Sequence, residues 1–219
     1  AKAPNDPNAQ GRKKHAGDAI FEDVNNDGQL DSKDMKFMGY IRPDKVGGIV
    51  NSFKYKGLTV RVVMDWAMGH VIDNGFKGQI MGSSRNNNNA IKDAMTNSWQ
   101  SANDGTKYPK YTVQSDYDYQ YRNHMRWDNQ IGSSESGSTN NSLYFSKGDY
   151  LAFREVSLSY MLPSTWVRKI RLSGVEVFAG AYNIGYIKKY DGMFPEIYTG
   201  VDYGVYPRPR QYNMGVKIN

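Results

Sequence analysis

Residues 58 to 68, LTVRVVMDWAM, alternate without a break. Leu58, Val60, Val62, Met64, Trp66 and Met68 fall on one face, and Thr59, Arg61, Val63, Asp65 and Ala67 on the other. A period of two over such a length means a β-strand. It is longer than the ~5–6 residues usual in globular sheets, and about what a tilted strand needs to cross a bilayer. One face is wholly apolar, while the face carrying Arg61 and Asp65 must be wet or internally paired.

The same period recurs. In DYLAFREVSLSYMLP, Val156, Leu158, Tyr160 and Leu162 alternate with Glu155, Ser157 and Ser159. In SGVEVFAGAYN, Val175, Val177, Ala179 and Ala181 alternate with Glu176, Phe178, Gly180 and Tyr182. Tyr212, Met214, Val216 and Ile218 close the chain against Gln211, Asn213, Gly215 and Lys217. KVGGIVNSFKYKG places Ile49, Phe53 and Tyr55 opposite Ser52, Lys54 and Lys56. The pattern predicts an all-β chain with five strands, at about 45–56, 58–69, 148–162, 171–183 and 206–219.

Connections alternate in length. Lys56-Gly57 joins the first two strands tightly and PSTWVRKI joins the third and fourth, whereas 70–147 and 184–205 are long. Short turns at one end and long loops at the other describe an outer-membrane barrel, with the short turns periplasmic and the long loops extracellular. Trp66, Tyr55, Tyr160, Trp166 and Tyr212 suit interfacial girdles. The alternative is a soluble, calcium-stapled β-sandwich that binds glycans, with one face of each sheet on a core. Five strands cannot close a barrel, and an open edge in lipid leaves backbone groups unsatisfied. A barrel reading therefore requires further strands to complete it.

Composition narrows the function. The chain has no cysteine, so disulfides and thiolate metal sites are excluded. Its formal charge of +6 is scattered except at GRKK, residues 11 to 14, which is not the clustered basic stripe of a nucleic-acid binder. No apolar run approaches the ~18 residues of a transmembrane helix. AKAPNDPNAQ offers neither an initiator Met nor a signal peptide, as expected of a mature product or an internal fragment.

DVNNDGQLDSKD, residues 23 to 34, has the spacing of a calcium loop. Calcium takes about six to eight oxygens, which a twelve-residue loop supplies from positions 1, 3, 5, 7, 9 and 12. Those positions hold Asp23, Asn25, Asp27, Gln29 (through its carbonyl), Asp31 and Asp34. Gly28 stands at the sharp turn, where a Cβ is expected to be in the way, and Leu30 is the apolar anchor. No amphipathic helix precedes the loop, so the expected role of calcium is structural: a cross-link ahead of strand 45–56.

Four segments, in order, resemble the C-terminal region of SusC/RagA-like TonB-dependent outer-membrane transporters. GDAIFEDVNNDGQLDSKD is similar to the family's acidic segment, and GDYLAFREVSLSYMLP to one of its strands. AYNIGYIKKYDGMFPE carries Asn183, Lys189, Tyr190, Gly192, Pro195 and Glu196 at matching places. YPRPRQYNMGVKIN resembles the closing strand through Tyr206, Pro207, Pro209, Arg210 and Gly215, although the family ends on an aromatic residue and this sequence on Asn219. The resemblance implies the last five antiparallel strands of a barrel of about 22 strands, preceded by an extracellular segment, 1–44, that holds the calcium loop. It implies import of oligosaccharides or peptides across a bacterial outer membrane, driven through TonB, with a SusD-like surface lipoprotein as lid. The plug, the TonB-contacting segment and the other strands would lie elsewhere in the polypeptide.

Specificity would reside in the long loops. AIKDAMTNSWQ puts Ile91, Met95 and Trp99 on one helical face with Ala94, and Tyr117, Tyr119 and Tyr121 share one edge of an extended segment. Trp99 and these tyrosines are the candidate substrate or partner contacts, through stacking. His15, His70 and His124 have no second ligand at metal spacing. Neither a nucleophile with its base nor a phosphate loop is present, so no enzyme activity is expected.

Overall fold

The computed structural model describes residues 16–20, 22–28, 32–77, 92–102, 105–111 and 142–218. Seven strands form two sheets. β1 (Lys45–Tyr55), β2 (Leu58–Met68), β5 (Tyr150–Met161), β6 (Val175–Lys188) and β7 (Gln211–Ile218) make a five-stranded antiparallel sheet in the order β1-β2-β5-β6-β7. β3 (Val71–Asp73) and β4 (Phe145–Lys147) make a separate two-stranded ribbon, which the sequence pattern did not signal because each is three residues long. Among the described residues no helix is long and apolar enough to cross a membrane.

The five expected strands are all present, with shifted ends. The last strand starts at Gln211 rather than near 206, because Pro207 and Pro209 have no N–H to give a ladder. β6 starts at Val175 because Arg168–Ile170 is a 3-10 turn closed by Arg171 in the left-handed region, φ +58°. It then runs on to Lys188, so YNIGYIK is strand rather than loop. A helix expected over 90–100 is reduced to Lys92–Thr96, and it buries Ala94 while Met95 stays exposed. Ser98 leaves the helical path to pair with Tyr108.

Directly opposed residues share a face, so the register assembles two chemically distinct surfaces. Phe53, Val60, Leu158, Ala179 and Met214 form one row of the apolar face; Asn51, opposite Val62, is its one polar side chain between Ile49 and Tyr55 on β1. The other face carries Ser52, Arg61, Ser157, Gly180 and Asn213 in a row. Between Val63 and Met64 the β2–β5 register slips by one, and it slips again opposite β6 between Phe153 and Glu155. Arg154 is the extra residue. Strict alternation would send it to the apolar face with Val156; the bulge returns it to the polar face beside Glu155.

The chain divides into two compact units. One holds the large sheet, from Tyr40–Val71, Lys147–Tyr198 and Val205–Asn219. At its long-loop end Ala67, Tyr150, Ala152 and Tyr186 pack together and Phe194 meets the Tyr186 ring edge-on at 5.9 Å, while Val167 and Val175 are buried at the other end. The other consists of the described parts of Ala1–Gly39, Ile72–Ser146 and Thr199–Gly204. Its core is Ala94, Tyr108 and Tyr144, with Leu143 and Tyr111 around them. Burial pushes the Tyr144 hydroxyl up to about 12, aided by the nearby Tyr108 and opposed by Lys77.

Lys56 and Gly57 connect β1 to β2 with φ of +45° and +86°, the pair of positive angles that a two-residue type I′ hairpin demands. A Cβ on Gly57 would also stand 2.8 Å from the Met161 carbonyl oxygen, which the neighbouring strand cannot withdraw. Gly57→Val is expected to cost about 1–3 kcal/mol, read as a lower thermal midpoint of the β-sheet signal of the intact barrel protein. Lys56→Asn, suited to positive φ, should leave that midpoint unchanged or raise it.

Candidate functional site

The acidic loop is partly described. Gly28 has φ +82°, and the Gly28 N–H donates to Asp23 Oδ2 at 2.8 Å. The Asp27 N–H donates to Asn25 Oδ1 at 3.0 Å, and the Val24 N–H to Asp34 Oδ1 at 2.8 Å. Backbone donors of the turn thus satisfy oxygens of Asp23, Asn25 and Asp34. One expectation is corrected: among the described residues nothing lies within 4 Å of a Cβ placed on Gly28, so glycine serves the left-handed angle and not the space. Gln29 and Asp31 lie outside the described residues, and among those described no group of three or more acidic or histidine side chains is arranged to hold a metal. Asp23 Oδ1 is nonetheless buried with no hydrogen-bond partner, as an oxygen reserved for a cation would be.

Trp99 is half-buried, with its ring packed against Gly17: a Cβ there would meet Trp99 Cε3 at 2.5 Å. The Lys110 N–H bonds the Gly17 carbonyl at 2.8 Å and the Trp99 N–H bonds the Tyr108 carbonyl at 3.0 Å, which fixes this contact from both sides. Tyr117, Tyr119 and Tyr121, like His15 and His124, lie outside the described residues. His70 is buried, and burial lowers its pKa, with the Asp149 carboxylate opposing the shift.

The most organised polar cluster is on the polar face of the large sheet, and it centres on two residues that periodicity did not single out. Arg154 Nη2 donates to Asp65 Oδ2 at 2.7 Å, while Nε bonds the other Asp65 oxygen, a bidentate fork. Arg154 Nη1 pairs with Glu196 Oε1 at 2.5 Å and reaches the Tyr186 hydroxyl at 3.3 Å. The Tyr186 hydroxyl donates to Glu196 Oε1 at 2.6 Å, and Arg208 Nη2 pairs with Glu196 Oε2 at 3.1 Å. The Glu196 side chain is 1% exposed, so its charge is supported almost wholly by these partners. One bulge-presented arginine therefore ties β2 and β6 to the segment that follows β6. Nearby, Arg61 and Glu155 pair at 3.4 Å with the opposite polarity, and the Ser157 hydroxyl donates to Glu155 at 2.7 Å.

Asp65 and Glu155 are thus paired across adjacent strands. Alternation could not reveal the cluster, since it assigns Arg154 to the wrong face. Its one trace in the sequence is Glu196 in the KYDGMFPE motif. Removing the central carboxylate while leaving Arg154 and Arg208 is expected to cost about 2–4 kcal/mol, below the full penalty for breaking a buried pair because Asp65 still holds Arg154. Glu196→Ala should then speed amide exchange over 189–198 while the β2–β5 ladder stays protected. Unchanged exchange there would show that the ions do not hold the segment.

No protein-family model matches the chain. It is 25% identical over 214 residues to TonB-dependent receptor P3 of Formosa agariphila, and 24% identical over 183 residues to TonB-dependent receptor P39 of the same organism. These matches cover 92% and 83% of this chain but 19% and 16% of the relatives, so the chain spans under a fifth of their length. Among solved structures, chains of the RagAB peptide transporter and of the RagAB peptide importer in its closed-closed state share the fold, with TM-scores of 0.59 and 0.60 at 22% identity. They cover 81% and 84% of this chain, and 17% and 18% of those chains is matched. In sequence the chain is similar to one segment of TonB-dependent receptors, and in fold to one segment of the RagAB transporter chains.

Proposed function

We propose that the chain is part of a TonB-dependent importer in a bacterial outer membrane, which takes up oligosaccharides or peptides together with a SusD-like lipoprotein. The observation that carries this reading is the apolar face of the five-stranded sheet. Phe53, Leu158, Val177, Tyr212, Met214 and Val216 all stand exposed on it. A continuous apolar surface of this kind is not left bare by a water-soluble protein; hydrocarbon is its natural solvent. The related receptors supply the rest of the reading: further strands, a plug and the TonB contact would come from elsewhere in the polypeptide. Peptide uptake is the property of the RagAB structures, and here it is one of two proposed cargo classes.

In this reading the polar face lines the lumen. The Arg154–Glu196 cluster holds segment 189–198 against that wall, on the side of the long loops. The oxygen-rich loop at 23–34 binds calcium in a structural role. Asp23, Asn25, Asp27, Asp31 and Asp34 would give side-chain oxygens and Gln29 its carbonyl, a hard-oxygen set suited to that ion. Orphaned Asp23 Oδ1 and the left-handed Gly28 support the assignment.

Two measurements test these proposals. Val62→Arg, at the middle of the apolar face, is expected to destabilise the intact barrel by about 2–4 kcal/mol in lipid, measured by reversible unfolding into urea from vesicles. Arg61→Gln, on the polar face, should shift it far less. Equal costs for the two would sink the lipid assignment. For the loop, Asp27→Ala should abolish calcium-dependent protection of residues 18–28 in hydrogen exchange while the strands remain protected, and no calcium effect in the parent would reject the site.

A further inference from the structure

At the long-loop end of the large sheet Lys189 pairs with Asp149 at 2.9 Å, and Arg154 and Arg208 pair with Glu196. At the opposite end the register aligns Tyr55, Leu58, Tyr160, Val177 and Val216 in one row, and beyond it lie the two short turns. Lys54 and Lys56 flank the first turn, Arg168, Lys169 and Arg171 sit in the second, and Lys217 is on the last strand. All six are exposed, and among the described residues none makes an ion pair. The one acidic residue in these stretches is Glu176.

The second turn also presents apolar surface by construction. A short helix, Ser164–Val167, leads into the 3-10 turn Arg168–Ile170. Val167 is buried, whereas Trp166 and Ile170 are 63% and 64% exposed. Hydrogen bonds hold this arrangement: the Trp166 N–H to the Pro163 carbonyl at 3.0 Å, Leu162 N–H to Val175 at 2.9 Å and Leu172 N–H to Val167 at 3.3 Å. The indole and the isoleucine are therefore displayed on a closed turn. Tyr55, Tyr160 and Val177 stand exposed in the last row of the apolar face at this end.

We infer that this end is a docking surface for the headgroups of anionic phospholipid, in which Arg168, Lys169 and Arg171, with Lys56, meet the phosphates while Trp166 and Ile170 enter the interface. The inference rests on the membrane reading above. An indole settles at the headgroup level of a bilayer, and each Lys or Arg close to an anionic surface adds attraction that salt screens. Lys and Arg stems can lie along apolar surface with their charged heads in the headgroup layer. A soluble acidic partner would answer the charge but would leave Trp166 and Ile170, continuous with the lipid-facing side, without a counterpart. The consequence is positional: the short turns set the depth of the barrel.

The test uses the intact receptor that contains this segment, reconstituted in nanodiscs of phosphatidylcholine alone or with phosphatidylglycerol, and examined by native mass spectrometry for retained lipid. The parent should retain phosphatidylglycerol over phosphatidylcholine, and its thermal midpoint should rise with the anionic lipid in low salt only. The combined change Arg168→Gln, Lys169→Gln and Arg171→Asn should lower that retention by about fivefold per charge removed, with an unaltered midpoint in phosphatidylcholine. Asn at 171 respects the left-handed backbone there. Should that variant fail to fold, Lys56→Asn makes the same test from the other turn. Undiminished retention in a folded variant, or a parent without lipid preference, overturns the inference. A receptor that enters both discs but retains the two lipids equally rejects only this docking surface; one that enters neither rejects the membrane reading itself.

Discussion

A single extra residue in β5 governs how the long-loop half of the sheet is held. Arg154 interrupts the alternation, and the bulge turns its guanidinium from the apolar face to the polar one. There it meets Asp65 on β2 and Glu196 beyond β6. On the apolar face the same charge would stand unpaired in hydrocarbon, at a cost no membrane strand carries lightly. On the polar face it becomes a cross-strand tie whose donors are largely used: two to Asp65, one shared between Glu196 and Tyr186. The register slip keeps this charge off one face and leaves the other able to carry an ion network, which in the membrane reading suits the first to lipid.

Packing follows from that tie. Glu196 is buried because Arg154, Arg208, Tyr186 and Tyr198 surround its carboxylate, and the aromatic edges of Tyr150, Tyr186 and Phe194 fill the space beside it. Segment 189–198 is therefore fixed by charge and ring packing rather than by a ladder of its own. Below the bulge the polar face changes character: Arg61, Glu155 and Ser157 form a smaller, more exposed group. In the transport reading this gives a lumen wall stiffened near its outer mouth and open lower down.

The opposite end follows a different rule. Its hairpin needs two positive φ angles, at Lys56 and Gly57, and its second turn closes on Arg171 in the same region. Both are short, rigid and basic, whereas the far end is built from long segments with internal pairs. An antiparallel sheet in lipid needs both: closed turns where backbone would otherwise meet the headgroups unsatisfied, and room at the other mouth for loops that recognise cargo.

By itself, the sequence determined the five long strands, their faces and the parity of their connections, because period-two alternation is a local property that any strand with one buried or lipid-exposed side must obey. The acidic loop was legible as a turn, since its residues follow one another within twelve positions, and the described part keeps the left-handed Gly28 and the backbone donors to Asp23 and Asp34; calcium there is a proposal. Strand ends were less so: Pro207, Pro209 and Arg171 moved them through backbone constraints that alternation does not weigh. Only the tertiary structure decided the Arg154–Glu196 network. Its members are up to 143 residues apart, from Asp65 to Arg208, and they meet because a bulge, which has no period, chose the face on which Arg154 would spend its charge.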